Sequence, residues 1–114
     1  MESEYISWQD FEKVEIRTGT VVRAEHAQGT QKPAYRLWID FGAALGVKKT
    51  SAQLTVHYQP EMLVGKQVVA VVNFPPKQIG TFMSECLVLG AVDGKEGVTL
   101  LVTERECGDG ERVV

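Results

Sequence analysis

Tyr35, Leu37, Ile39 and Phe41 alternate with Arg36, Trp38 and Asp40, and this strict period of two is the strongest constraint the chain places on its own fold. Side chains along a strand point to opposite faces in turn, so one of these sets enters a core and the other stays outside. Trp38 falls in the outer set. Cover by an N-terminal helix or by a partner subunit explains a large aromatic there better than a base-stacking role does.

Other segments read the same way. Glu15 to Arg23 is β-rich and predicts a long first strand, with Gly19 inside it marking a bulge or sharp bend. Lys48 to Thr55 gives a third strand. Gln67 to Val72 is a β-branched run, and the consecutive prolines in Asn73-Phe74-Pro75-Pro76 end it because neither can donate a backbone hydrogen bond. Glu85 to Val92 is the fifth strand, and Asp93-Gly94-Lys95-Glu96-Gly97 turns it back into a hairpin arm, Val98 to Val102.

Two short helices interrupt the strands. Ser7-Trp8-Gln9-Asp10 places a side-chain acceptor at an N-cap and an acid three residues on, which starts a helix running to about Lys13 with Trp8 and Phe11 on one face. Pro60, Glu61 and Gly65 bound a second one within Tyr58 to Gly65. The expectation is an all-β, five-stranded Greek-key barrel, with a helix between strands three and four as in the oligonucleotide/oligosaccharide-binding (OB) arrangement. One domain spans 1–114. Its barrel core runs over about 14–92, and the flanking segments need another task.

A chain of 114 residues, 44% of them hydrophobic, can bury a core without disulfides or metal. No apolar run is long enough to span a bilayer, so no membrane insertion is expected. The start, Met1-Glu2-Ser3-Glu4, has acids where a secretory signal carries basic residues, which predicts a cytoplasmic protein. Cys86 sits inside an apolar strand pattern and reads as a reduced core thiol, while Cys107 reads as a surface or edge thiol. These cysteines share no ligand spacing with His26 and His57, so neither metal nor cofactor is expected.

The net charge of −3 argues against indiscriminate nucleic-acid binding. Its distribution is uneven: residues 32–77 hold six basic and two acidic side chains, whereas acids dominate on both sides. A localised basic patch on an acidic body follows. Lys48 and Lys49 at the entry of the third strand and Lys77 after the Pro-Pro turn are its candidates, expected to converge on one side of the barrel. No nucleophile elbow, phosphate loop or zinc-protease motif occurs, and the carboxylates of the tail read as solvated charge. The expected activity is binding, not catalysis.

Two polar interruptions carry the candidate site, Lys48-Lys49-Thr50-Ser51-Ala52-Gln53-Leu54-Thr55 and Asn73-Phe74-Pro75-Pro76-Lys77-Gln78-Ile79. With Phe41-Gly42 before them and Ser84-Glu85-Cys86-Leu87-Val88-Leu89-Gly90 after them, these strings closely resemble the CsaA-type export-related chaperones, members of the tRNA-binding OB-domain family. The resemblance runs from about Phe11 to Gly90. It implies a homodimer built from segments outside the barrel, for which Val98 to Val102 and Val113-Val114 are suitably apolar. A cut from Gly108 onward is then expected to weaken the dimer more than the barrel.

The implied partners are unfolded or precursor polypeptides, tRNA and the protein-export machinery. The implied RNA-facing residues are Asn73, Lys77, Ser84 and Glu85, joined by Lys48, Lys49, Ser51 and Gln53 of the first string. Asn73 has an alternative use as a backbone cap, and Ser84-Glu85 as a turn. The loop His26 to Pro33 lacks the acidic string common in the wider family, and Pro33-Ala34-Tyr35-Arg36-Leu37 follows the shorter CsaA form. Thr50 stands where Ser is more frequent, which keeps the hydroxyl.

A chaperone surface needs accessible apolar groups beside charged ones, and Phe74, Ile79, Phe82 and Met83 supply them. Phe82 and Met83 are the better exposed candidates; Phe74 and Ile79 are more easily explained as a plug in the barrel end. A tRNA-binding module that reads tRNA shape is the alternative. A generic single-strand binder ranks last, because only Tyr35, Trp38 and Tyr58 are available for stacking.

Overall fold

The computed structural model describes residues 4–114; Met1-Glu2-Ser3, part of the acidic start discussed above, lies outside the described residues. The capping box forms as expected. Ser7 Oγ accepts from Asp10 N at 3.1 Å, the Asp10 carboxylate accepts from Ser7 N at 3.0 Å, and helix α1 (Trp8–Glu12) follows.

Strands β1 (Ile16–His26), β2 (Tyr35–Asp40), β3 (Val47–Ala52), β4 (Gln67–Val71) and β7 (Leu87–Val88) form one antiparallel sheet in the order β3-β2-β1-β4-β7. It curls into a nearly closed OB-like barrel. Tyr35, Leu37, Ile39 and Phe41 are buried together with Val21, Leu54, Leu63 and Val68, as the alternation requires. Helix α2 (Pro60–Leu63) lies between β3 and β4 in sequence and seals the barrel with Leu63; Gly65 then stops it at φ +93°.

Gly19 serves a purpose other than the expected bulge. A Cβ there would lie 2.7 Å from both Ile39 Cγ2 and Phe41 Cδ1, so glycine lets the core of β2 approach β1 closely. The register shift occurs later, between Val21 and Arg23. Val22 is the extra residue and is exposed.

Between β4 and β7 the chain makes an arm that sequence reading did not resolve: β5 (Lys77–Ile79) pairs with β6 (Phe82–Ser84) as a hairpin. The barrel's seam is closed by the residues that follow it. Glu85 N donates to Lys49 O at 2.8 Å, and Lys49 N donates to Glu85 Oε1 at 3.0 Å, so this carboxylate stands where a strand would supply a carbonyl. Thr50 Oγ1 donates to Cys86 O at 2.7 Å, which satisfies a hydroxyl that is 2% exposed.

The expected fifth strand breaks at Leu89, beyond which β8 (Gly90–Asp93) and β9 (Gly97–Leu100) form the anticipated hairpin. Residues 108–113 then return as a strap along the first half of β1. Thr18 N donates to Glu111 O at 2.9 Å, Gly110 N to Thr18 O at 2.7 Å and Val113 N to Ile16 O at 2.9 Å. Thr18 Oγ1 adds a bond to Gly108 O at 2.7 Å, and Gln67 holds Cys107 through both its backbone carbonyl and its N–H. A cut from Gly108 onward, expected to weaken the dimer more than the barrel, therefore also removes part of the barrel's own hydrogen bonding. Among the described residues no helix is long and apolar enough to cross a membrane.

Candidate functional site

Alternation along β2 and β3 builds the outer face of the barrel. Trp38 stands opposite Lys49 and Arg36 opposite Ser51, while Arg23 of β1 pairs with Trp38 on the other flank. The β5–β6 arm folds over this face. Phe82 meets Trp38 edge-on at 5.9 Å between ring centres, the Arg23 guanidinium lies 4.4 Å over Trp38, and Arg36 and Lys49 cover Phe82 at 4.7 and 5.0 Å. These are cation–π contacts, and they hold three cations on one aromatic pair. Trp38 is thus covered by Phe82 and Arg23 of its own chain, not by the N-terminal helix, one of the two covers expected for it.

The arrangement corrects the apolar candidates. Phe82 is 8% exposed and packs as a structural anchor of the arm, so it is not an open surface group. Met83, its neighbour on the opposite side of a two-residue period, is exposed. Phe74 is 54% exposed and does not plug the barrel end. Together with Ile79, Pro75 and Leu87 it lines a cleft of about 390 Å³, which also receives Lys77, Ser51 and Ser84. Polar and apolar candidates therefore share one surface.

The lysines do not converge as a set. Lys48 pairs with Ile39 and Lys49 with Trp38, so adjacent residues of β3 face opposite sides of the sheet. Lys49 joins the aromatic pair, Lys77 goes to the cleft, and Lys48 lies near the Cys86 thiol, whose ionisation it favours. Burial dominates at that thiol and pushes its pKa up to about 12 from 9.0. Cys86 is accordingly an inert core group, and Cys107 is exposed.

Several polar candidates are engaged inside the molecule. Asn73 Oδ1 accepts from Glu15 N at 3.0 Å and its Nδ2 donates to Lys13 O at 2.7 Å, so its amide clamps the junction of α1 and β1. Ser84 Oγ lies 2.8 Å from Thr50 Oγ1, and Glu85 is occupied at the seam. Gln53 remains exposed beside a second cleft. Among the described residues no three His, Cys, Asp or Glu side chains come together as a metal site.

Sequence reasoning missed Arg23 and Arg36 as site residues. The signal was present for Arg36, since the alternation that buries Leu37 puts its neighbour outside; nothing local marked Arg23. The Arg36 guanidinium reaches Gln28 O at 3.2 Å, and its Nε is buried with no partner among the described residues.

Residues 16–112 match the family model described as "Putative tRNA binding domain". The chaperone CsaA of Bacillus anthracis is 46% identical, with a TM-score of 0.92 over 97% of this chain and 100% of that one. The CsaA chaperone protein of Picrophilus torridus is 43% identical, with a TM-score of 0.90 over 96% of this chain and 100% of that one. Among curated sequences, the methionine–tRNA ligase of Porphyromonas gingivalis is 35% identical over 111 residues, 97% of this chain. That match spans only 16% of the ligase's own length.

Proposed function

We propose, because this chain belongs to the tRNA-binding domain family, that it is a non-catalytic binding protein of the cytoplasm. It holds non-native polypeptides, including chains destined for export, and it binds tRNA on the adjoining basic face. The observation that carries the polypeptide reading is the cleft in which exposed Phe74 and Leu87 stand beside Lys77 and Ser51. An unfolded segment offers both apolar side chains and unpaired backbone groups, and such a mixed lining suits both. The tRNA reading draws support from a separate observation, the cluster of Arg23, Arg36 and Lys49 around Trp38 and Phe82. Cations fixed on aromatic rings are presented at defined positions, as recognition of nucleic-acid shape requires.

A homodimer completes this reading. Ile6, Trp8 and Phe11 share a concavity with Val114, and Trp8 and Val114 are 84% and 100% exposed. An apolar patch of that kind favours cover by a second copy. Sedimentation at micromolar concentration should give twice the 12.6 kDa chain mass; a monomer there overturns the dimer.

The test of function is a pair of titrations, with tRNA and with an unfolded client protein, each at two salt concentrations. Affinity for tRNA should fall with a log–log slope of roughly −0.7 to −0.9 per phosphate contact, while client binding barely moves. Arg23→Ala with Arg36→Ala should weaken tRNA alone, and Phe74→Ser should weaken the client alone. Failure of a ligand to bind, or binding unchanged by its own variant, overturns the corresponding half.

A further inference from the structure

The terminal strand β3 has its outer edge closed by side chains. Lys49 is filled on both its backbone groups by Glu85. Ser51, two residues on, points the same way, but among the described residues its N–H meets only Ser84 Oγ at 3.3 Å, and its carbonyl lies 3.5 Å from Thr50 Oγ1, whose proton goes to Cys86 O. Both are long contacts, and each hydroxyl has a closer partner than Ser51. An edge residue so weakly held can exchange both contacts for a strand partner.

Three clefts succeed one another along this edge. The first, of about 390 Å³, meets the second, of about 560 Å³, at Ser51 and Ile79; the second meets a third, of about 310 Å³, at Lys32 and Gln53. They take up the chain in order, with Ser51 in the first, Gln53 in the second and Val56 in the third. A path that follows the end of β3 and the turn after it fits a linear occupant.

Its chemistry is graded. The first cleft is apolar, with Phe74 and Leu87; the third sets Val92 and Val98 beside Lys95 and Glu96, and the middle is lined by glutamines and hydroxyls. Among the described residues Lys77 is the sole charge lining the first cleft and Lys32 the sole charge lining the second; where the second meets the third, Lys32 is joined by Lys95 and Glu96, which leaves that end net positive. A single-stranded nucleic acid satisfies lysines too, but it needs a series of stacking platforms, and Phe74 is the one aromatic among the described residues lining the three clefts.

We propose that an extended segment of about seven residues from a non-native chain adds to β3 as a further strand, bonding the backbone of Ser51. It lays an apolar side chain in each end cleft and an acidic one near Lys32. This rests on the polypeptide reading above and specifies its site and the sequence class it selects.

The probe is a fluorescent heptapeptide with leucine near both ends and aspartate between them, titrated by anisotropy. Methylating alternate backbone amides keeps every side chain but removes strand donors, and in one of the two possible phases it should weaken binding by about tenfold or more. Replacing the aspartate by lysine should cost about fivefold in the parent, and Lys32→Glu should reverse that preference. The unlabelled heptapeptide should also displace a reduced, carboxymethylated client protein. Melting curves run beside each variant confirm that it is folded.

Binding that tolerates methylation in both phases overturns strand addition. A client that binds but is not displaced overturns the site and leaves the polypeptide reading standing, whereas a client that never binds overturns both. Displacement of the heptapeptide by oligouridylate at equal affinity would assign the groove to nucleic acid and also overturn the proposal.

Discussion

The first half of β1 and the outer side of β3 both present backbone groups that no consecutive strand fills, and the two edges are completed differently. At β1 the strap inserts three backbone bonds between 2.7 and 2.9 Å, and Arg17, Thr18 and Thr20 add side-chain bonds to it. At β3 the Glu85 carboxylate and the Ser84 hydroxyl supply much of the closure. The first edge is locked. The second is held by groups that can let go, and it lies beside the clefts. On the binding proposed above, the difference separates stability from binding within one sheet.

Breaking the locked edge should have the largest effect. Gly110 has φ +83°, and a Cβ there would run into the Phe41 carbonyl. Gly110→Val should therefore cost roughly 4 kcal/mol of stability, combining left-handed strain with overpacking, and lower the melting temperature by well over 10 °C. A melting curve like the parent's would show that the strap is not a structural element.

On the open side the two phenylalanines should part company. Phe82→Ala removes the buried ring under Arg36 and Lys49 and should cost about 3 kcal/mol. Phe74→Ser, at an exposed position, should stay within about 0.5 kcal/mol of the parent while reducing client affinity about fivefold. Denaturant melts beside client titrations separate the two outcomes.

The seam itself should be softer. Glu85→Ala leaves Lys49 N without its acceptor and should cost about 1–2 kcal/mol, whereas Glu85→Gln keeps the oxygen and should recover most of that. Equal losses would mean that charge, not the acceptor, closes the barrel.

At neutral pH the smallest effect belongs to Cys86, whose contribution emerges only in alkali. The folded Cys86 thiol titrates near 12 and the free thiol near 9.0, so between these values the unfolded chain releases its proton first and unfolding is favoured. Stability should be insensitive to this group below about pH 9 and decline from there toward 12, and Cys86→Ala should flatten the decline. In the native protein at pH 8, alkylation followed by mass spectrometry should mark Cys107 and spare Cys86.

Local rules made much of the barrel readable. The alternation of β2, the Ser7–Asp10 box, the stop at Gly65 and the turn at Gly94 each rest on a few adjacent residues, and each forms where expected. Contacts made across the fold were not readable. The β5–β6 arm carries too short a pattern between Pro76 and Ser84 to announce a hairpin, so the burial of Phe82 beneath two cations was hidden. Glu85 read as an RNA-facing or turn residue because its partner lies 36 residues away. The candidate site was legible as a set of strings but not in its arrangement, since adjacent Lys48 and Lys49 go to opposite faces and Phe74 and Phe82 exchange their expected roles.

The strap also sets the order in which the molecule can be completed during synthesis. Thr18 leaves the ribosome long before the groups that satisfy its amide and hydroxyl, which are separated from it by some ninety positions. Until residues 108–113 emerge, β1 travels with half of one edge bare, and contacts of such long range form late. A nascent copy of this protein is for that interval an unfolded chain with an open strand, the kind of substrate that the proposed polypeptide site would hold.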